Sequence, residues 1–247
     1  MKAFFRRLKE GTEHLNYGRE IIARWAGEKL AGVPPSTSLH VLDLGCGAGD
    51  DLDSIRERLQ GRDITLFGIE ANDGNAACAR ERGILVASLD LERCTFPYPD
   101  ASIDLIVANQ IIEHAKELFW IFSECSRVLT PGGYMIIGVP NLASLHSRIL
   151  LFFGDQPSSI ELMGPHVRGI TASGFRRFIE ADNIFRLENV NGANFYPLPA
   201  WLSRPVSTVF PRLSVSLFFL VRKIHPTRNF MDVLKTRFFE TNFYQGS

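Results

Sequence analysis

Hydrophobic and polar residues alternate along the chain with two different periods. Short apolar runs bounded by turn residues predict buried strands, and apolar positions three and four residues apart predict amphipathic helices. The apolar runs that predict strands lie at residues 39–43, 64–69, 84–87, 103–108, 134–139, 185–190 and 217–222. The stretches that predict helices lie at residues 17–31, 52–59, 72–82, 118–129 and 172–181, with residues 229–239 as a further candidate. Asn72-Asp73 and Thr171 are the expected N-caps of the helices that follow them. The four prolines within residues 196–211 argue against a long helix there. Because strands alternate with helices, the pattern predicts an α/β fold with a parallel, doubly wound sheet.

The stretch from residue 39 to residue 53 leads from the first predicted strand through three alternating glycines into a helix. Gly45, Gly47 and Gly49 permit a sharp turn with positive φ, and without Cβ atoms they let a ligand contact the main chain. A dinucleotide-binding loop has its third glycine five positions after the first. That position is Asp50 here. The loop therefore departs from the NAD-binding spacing.

Carboxylates crowd the same loop, at Asp43, Asp50, Asp51 and Asp53. A helix N-terminus favours phosphate, but these charges would repel a diphosphate. They tolerate a cationic adenosine derivative such as S-adenosylmethionine, which carries a sulfonium and an ammonium group and no phosphate. Glu70 ends the second predicted strand about twenty residues after the loop, where one carboxylate can accept hydrogen bonds from both ribose hydroxyls. The charges and the spacing together favour that ligand.

The motif Asp-Leu-Gly-Cys-Gly-x-Gly at residues 43–49 occurs with Glu70, with Glu113-His114 after the fourth strand, and with a Leu-x-Pro-Gly-Gly turn at residues 129–133. This combination resembles the class I S-adenosylmethionine-dependent methyltransferases, in particular the small-molecule, methyltransferase type 11-like branch. The resemblance covers residues 39–171 and is looser beyond them. It implies a Rossmann-like, seven-stranded sheet, mostly parallel with an antiparallel last strand, and helices on both faces. It also implies S-adenosyl-L-methionine as the cofactor.

The resemblance assigns roles to residues at the strand ends. Relatives place an acidic residue after the third strand to accept from the adenine amino group, followed by an amide that contacts the ring; Asp90 and Leu91 match, with Glu92 as a competitor. Tyr17 and Arg19 are candidates for the methionine carboxylate, with a solvated helix start as the alternative. The complete set of cofactor-binding candidates is Asp43, Gly45, Cys46, Gly47, Gly49, Glu70, Ala71, Asp90, Leu91, Asn109, Gln110, Tyr17 and Arg19.

The acceptor side is predicted in the segment after the fifth strand, because insertions there cover the cofactor mouth. His166 and His114 are the candidate catalytic bases, since a neutral imidazole can accept a proton from a hydroxyl group. His146, His166 and Arg168 are the candidate substrate-binding residues. The alternative is that these side chains only fix loops by hydrogen bonds. Glu113 with His114 offers too few ligands for a metal, so no metal site is predicted.

Net charge and cysteine spacing disfavour several classes of protein. The 27 Lys and Arg residues balance 27 Asp and Glu residues, so nothing indicates a nucleic-acid partner. Cys46, Cys78, Cys94 and Cys125 lie far apart and form neither a zinc motif nor a disulfide framework. We therefore expect a cytoplasmic protein without a secretory signal or a membrane span.

We expect a single domain over residues 1–247, with an N-terminal helical region (1–38), a cofactor-binding core (39–140), an inserted lid (141–170), the last helix and strands (171–222) and a tail (223–247). The segment 195–247 holds seven Lys or Arg and two acidic residues among many aromatic ones. This composition fits peripheral membrane contact or an anionic lipid-like substrate, and it also fits a dimer interface or ordinary packing. The oligomeric state is left open.

The expected activity is methyl transfer from S-adenosylmethionine to a small-molecule acceptor, at an oxygen nucleophile, with a lipidic or sugar-bearing acceptor as one option. One alternative is a catalytically silent methyltransferase-like protein that binds the cofactor or a partner. Another is an NAD-dependent reductase. An RNA methyltransferase is disfavoured because no basic patch flanks the glycine loop.

Overall fold

The computed structural model describes residues 18–196, 198–226 and 229–236. Its strands are β1 Leu39–Leu44, β2 Ile64–Ile69, β3 Leu85–Ala87, β4 Ile103–Asn109, β5 Leu129–Pro140, β6 Phe185–Ala193 and β7 Ser216–Lys223. They form one seven-stranded sheet in the order β3-β2-β1-β4-β5-β7-β6. Neighbours among β1 to β5 pair in parallel, whereas β7 is antiparallel to both β5 and β6. The predicted Rossmann-like sheet with an antiparallel strand is confirmed.

Helices cover both faces of the sheet. They are α1 Arg19–Leu30, α2 Asp50–Arg58, α3 Asp73–Glu81, α4 Leu118–Val128, α5 Leu145–Phe152, α6 Ala172–Ile179, α7 Ala200–Val209 and α8 Val233–Thr236. Val41 of β1 packs in a core with side chains of α1, α2 and α3, and the adjacent Leu42 packs in a second core with α4 and α6. Successive strand residues point to opposite faces, so a strand buried on both sides is apolar throughout.

Two helices begin at the N-cap residues that the sequence predicts. The Asn72 side chain accepts a hydrogen bond of 3.0 Å from the amide of Asn75 and caps α3. Thr171 Oγ1 accepts one of 3.1 Å from the amide of Gly174 and caps α6. Such caps satisfy amides that the first helical turn leaves without partners.

Three elements differ from the prediction. Residues 130–133, predicted as a turn, are part of β5, where a register shift between Ile103 and Leu105 absorbs them as a bulge. The Pro-rich stretch predicted not to form a long helix contains α7, ten residues long with Pro205 inside, because one helical turn fits on either side of that residue. The helix predicted at residues 229–239 is reduced to a 3-10 turn at Phe230–Asp232 and the single turn α8; residues 237–239 lie outside the described part.

The functional cleft is positioned by the reversal of strand order at β1. Strands β2 and β3 lie on one side of β1, and β4 and β5 lie on the other. In open α/β sheets, ligands bind beyond the carboxyl ends of the strands at such a point. Within the described residues, none of the helices is both long enough and apolar enough to cross a bilayer.

Candidate functional site

The glycine loop between β1 and α2 presents its main chain to the cleft at Gly47. The φ angle of Gly47 is +53°, and a Cβ added there would have no atom within 4 Å. Gly49 has a φ of +92°, but a Cβ there would lie 2.3 Å from Cδ1 of Ile84. Gly49 therefore allows close packing of the loop on the core, whereas Gly47 leaves space in which a ligand can approach the backbone.

Glu70, directly after β2, braces this loop with its carboxylate. Oε2 accepts a hydrogen bond of 2.9 Å from the amide of Gly47, and Oε1 accepts one of 2.7 Å from the amide of Asn72. A carboxylate has about four lone-pair positions. Each oxygen of Glu70 therefore keeps acceptor capacity for the paired hydroxyls of a ribose.

The cleft has two adjoining cavities that share Gly45. The larger cavity, of about 350 Å³, is bordered by Glu70, Ala71, Asp90 and Leu91. Its remaining lining is mainly apolar and comes from Leu44, Ile69, Leu89, Ile111, Ile112 and Ala115, with Glu92, His114 and Ile121. A mainly apolar cavity with carboxylate acceptors in its lining fits an adenosine group. A cavity of about 740 Å³ lies elsewhere on the surface, and none of the predicted site residues lines it.

Two acidic residues compete for the adenine position, and their contacts separate them. Glu92 Oε1 accepts hydrogen bonds from the amides of Lys116 and Glu117, at 2.5 and 2.8 Å, so its carboxylate holds the loop after β4. Asp90 accepts a hydrogen bond from the amide of Glu92 at 2.9 Å, and its side chain is 52% exposed. Asp90 therefore has more acceptor capacity available to a ligand.

The smaller cavity, of about 190 Å³, is polar and acidic. Asp51 is central to it: Asn109 Nδ2 donates to Oδ2 at 2.8 Å, and Arg19 Nε donates to Oδ1 at 3.1 Å. Arg19 also contacts Asp50 at 2.8 Å. Burial, and next the charges of Asp51 and Glu70, raise the pKa of Asp43 well above its usual range. A bound ammonium or sulfonium group would relieve this repulsion.

Gln110 follows β4 with a strained backbone. Its φ is +56°, which is uncommon for a residue with a side chain. The main chain is held there by a hydrogen bond of 2.8 Å from its amide to the carbonyl of Gly138. Its Nε2 is buried and has no acceptor among the described residues, and the residue lines the smaller cavity. Such an orphaned donor fits a ligand that brings an acceptor, for example a carboxylate.

On the other side of the larger cavity, His114 meets His166 of the segment before α6. The two ring centroids are 4.7 Å apart. With the adjacent Glu113, one ligand-capable atom of each residue lies within 4.8 Å of the others, and we call Glu113, His114 and His166 the histidine cluster. Glu113 is 1% exposed, and burial raises its pKa to about 7, with its own backbone amide only partly offsetting the effect.

Three further candidate residues, His146, Arg168 and Tyr17, are not part of the histidine cluster. His146 Nδ1 contacts Ser144 Oγ at 3.0 Å, and its ring packs against Tyr196 at 5.8 Å. The Arg168 guanidinium donates to the carbonyls of Ala115 and Lys116, so it ties the segment before α6 to the loop after β4. Tyr17 lies outside the described residues.

Two residues are missing from the predicted set and belong to the site. Asp51 occupies the first turn of α2, and only the structure shows that Arg19 and Asn109 converge on it. The sequence points to Glu113 because it precedes His114. Its closeness to His166, 53 positions later, depends on the fold and on the hydrogen bonds of Arg168 to the loop after β4. The spacing of apolar residues along a helix or a strand does not show which distant side chains meet in the fold.

Comparisons with known proteins agree with this geometry. Residues 42–137 match the family described as methyltransferase domain. A probable S-adenosylmethionine-dependent methyltransferase of Mycolicibacterium smegmatis is 35% identical over 101 residues, which are 41% of this chain and 38% of that protein. The 27-O-demethylrifamycin SV methyltransferase of Amycolatopsis mediterranei is 31% identical over 133 residues, 49% of this chain and 47% of that protein.

A solved structure of a SAM dependent methyltransferase from Archaeoglobus fulgidus has the same fold, with a TM-score of 0.54 at 18% identity, covering 83% of this chain and 94% of that one. The alignments span less than half of the length of both curated relatives. The sheet order, the glycine loop and the matched segment agree with one another. Residues 42–137 match the methyltransferase domain family, and the chain has the fold of the solved S-adenosylmethionine-dependent methyltransferase.

Proposed function

We propose that the protein transfers a methyl group from S-adenosylmethionine to an oxygen atom of a small-molecule acceptor. The observation that carries the proposal is the two-part cleft: Glu70 borders the larger, mainly apolar cavity, which would hold the adenosine group, and Gly47 and Asp51 border the smaller, acidic cavity, which would hold the methionine part. The cofactor supplies an electrophilic methyl group on a sulfonium. The named O-methyl chemistry of the rifamycin relative supports oxygen as the attacking atom.

The protein contributes position and a proton acceptor. Alignment of two reactants in a bound complex can contribute roughly 7 to 11 kcal/mol to lowering the barrier. His114 lines the cavity assigned to the adenosine group, and His166 packs against His114, so an acceptor hydroxyl at the cleft mouth would lie near both imidazoles. We propose that His166 or His114 accepts the hydroxyl proton, while His146 and Arg168 shape and anchor the lid.

The acceptor is proposed to carry an apolar part. Leu151, Phe152 and Phe153 at the end of α5 are 55%, 83% and 62% exposed, and Leu162 and Met163 follow at 92% and 102%. Exposed apolar side chains that cluster in one segment mark a contact surface for an apolar group. Their segment ends at His166, so an apolar acceptor held there would present its hydroxyl to the cluster.

Peripheral membrane contact stays a proposal for the C-terminal region. Trp201, Val209 and Phe210 of α7 and its end are 76%, 67% and 55% exposed. Aromatic residues of this kind favour the interface of a bilayer. Sedimentation with anionic vesicles checks it: wild type should pellet with the vesicles, and a Trp201→Ser, Phe210→Ser variant should stay in the supernatant.

Two measurements test the main proposal. Calorimetry with S-adenosylhomocysteine should show one binding site, and incubation of the protein with extract and radiolabelled S-adenosylmethionine should label a small organic-soluble product. Binding without a labelled product in any fraction would favour a catalytically silent binding protein. Binding of NADH in place of S-adenosylhomocysteine would favour a reductase.

A further inference from the structure

The histidine cluster has the composition of a metal site. We infer that Glu113, His114 and His166 bind one divalent transition-metal ion, of which Zn²⁺ is the natural probe, through one carboxylate oxygen and two imidazole nitrogens. Among the described residues, this is the group of His, Cys, Asp and Glu side chains whose ligand atoms come close enough together. Ion binding itself does not depend on the proposed methyl transfer; its role in catalysis does.

Glu113 is the first reason for the inference. Its side chain is 1% exposed, and no other described residue donates a hydrogen bond to either carboxylate oxygen. Buried carboxylates are normally paired with a cation or with donors, since burying an unpartnered charge is costly. A metal ion supplies the missing partner.

The two histidines are already oriented as ligands. Nδ1 of His114 lies 3.2 Å from the carbonyl of Pro165, and Nδ1 of His166 lies 2.9 Å from the carbonyl of Ser159. A carbonyl oxygen only accepts, so each Nδ1 is the protonated nitrogen and each Nε2 keeps its lone pair. Metal-binding histidines generally donate their other N–H to a carbonyl or a carboxylate in this way.

The backbone holds the two halves of the cluster together. The carbonyl of Glu113 accepts hydrogen bonds from the amides of Val167 and Arg168, at 3.0 and 3.1 Å. Arg168 adds its side-chain contacts to the loop after β4. His166 is therefore fixed against Glu113 and His114. The ligand atoms lie within 4.8 Å of one another, whereas a tetrahedral zinc site with bonds of about 2.1 Å requires roughly 3.4 Å between them, so the side chains would have to close on the ion.

The ligand types select the ion. Two imidazoles and one carboxylate suit zinc and neighbouring transition metals, whereas Mg²⁺ and Ca²⁺ prefer oxygen ligands alone. Three protein ligands also leave a coordination position open, as in catalytic rather than structural zinc sites. If the proposed function holds, the acceptor hydroxyl would occupy that position, and the two histidines would act as metal ligands in place of the proton acceptor proposed above. A bound ion would lower the pKa of that hydroxyl; its proton would pass to solvent, and the oxygen would attack the methyl carbon as the carbon–sulfur bond breaks.

The test is a zinc titration of the chelator-treated full chain in competition with a chromophoric chelator. Wild type should bind one Zn²⁺ per chain. His166→Ala and the isosteric Glu113→Gln should each lower the affinity at least tenfold, and His225→Ala, a histidine outside the cluster, should bind as wild type does. Circular dichroism of each variant verifies folding. Absence of zinc binding by wild type would overturn the inference, and so would undiminished affinity in folded His166→Ala and Glu113→Gln.

Titration of the same variants with S-adenosylhomocysteine separates this inference from the proposed function. Glu113 and His166 lie on the acceptor side, so both variants should keep the wild-type affinity for S-adenosylhomocysteine. A wild-type protein that binds Zn²⁺ at the cluster but no S-adenosylhomocysteine would contradict the proposed function and leave the metal site standing. One that binds S-adenosylhomocysteine but no Zn²⁺ would do the reverse.

Discussion

Replacing Glu70 with alanine is expected to weaken binding of S-adenosylhomocysteine by about 100-fold. The carboxylate of Glu70 accepts the amides of Gly47 and Asn72 and keeps one acceptor position on each oxygen. A hydrogen bond to a charged group contributes about 1.5–3 kcal/mol. Because the residue is half-buried and two coupled bonds are not additive, we take about 3 kcal/mol for the ribose pair, which corresponds to roughly 100-fold in Kd.

The loop contacts of Glu70 contribute separately to folding. Water can replace the carboxylate at the amides of Gly47 and Asn72. Glu70→Ala should therefore lower the free energy of unfolding by about 1 kcal/mol for each lost hydrogen bond. Glu70→Gln is the matched variant, because its amide keeps one acceptor oxygen and loses the charge. It should bind with an affinity between those of wild type and Glu70→Ala.

Isothermal titration calorimetry measures the affinities of wild type and both variants for S-adenosylhomocysteine, and thermal unfolding of the ligand-free proteins is the folding control. Glu70→Ala should show a large loss of affinity with a small drop in melting temperature. If the folded Glu70→Ala variant binds S-adenosylhomocysteine as tightly as wild type, the ribose does not lie against Glu70, and the orientation of the cofactor given above is wrong.

Three further predictions test other parts of the site. Gly47→Val should abolish S-adenosylhomocysteine binding, whereas Gly61→Val, at a φ of +82° with nothing within 4 Å, should carry similar backbone strain and bind normally by calorimetry. Asp43→Asn should stabilise the ligand-free protein at neutral pH. Folding raises the pKa of Asp43 above 3.8, so the stability that protonated Asp43 contributes is complete below that pH and is lost as pH rises through the folded pKa. Urea unfolding of both proteins should show a difference in unfolding free energy that grows above pH 3.8, and no difference would contradict the burial argument. Arg168→Ala should speed proteolysis within residues 154–169 and leave the affinity for S-adenosylhomocysteine unchanged, and an unaltered cleavage rate would show that the Arg168 contacts do not anchor this segment.

The parts of the fold that follow from local rules could be predicted from the sequence. The apolar run at β4 is buried on both faces because it is a central parallel strand. The caps at Asn72 and Thr171 depend on residues three positions away. The carboxylate of Glu70 could be placed at the end of β2 because the strand and the loop fix its position.

Other features depend on partners far away in the chain. The bulge at residues 130–133 is set by pairing with β4, and a turn motif alone does not contain that information. Asp51 gains its role from Arg19 and Asn109, which come from elements on either side of α2. The sequence offers Glu113 and His114 as two ligands, and only the fold adds His166.

The central claim is that the cleft at the carboxyl ends of β1 and β2 holds the adenosine group of a methyl donor rather than a dinucleotide. A calorimetric titration of the wild-type protein with S-adenosylhomocysteine, followed by one with NADH under the same conditions, tests it most directly. We expect saturable binding of one S-adenosylhomocysteine per chain and no measurable heat with NADH. Saturable NADH binding that S-adenosylhomocysteine does not displace would contradict it.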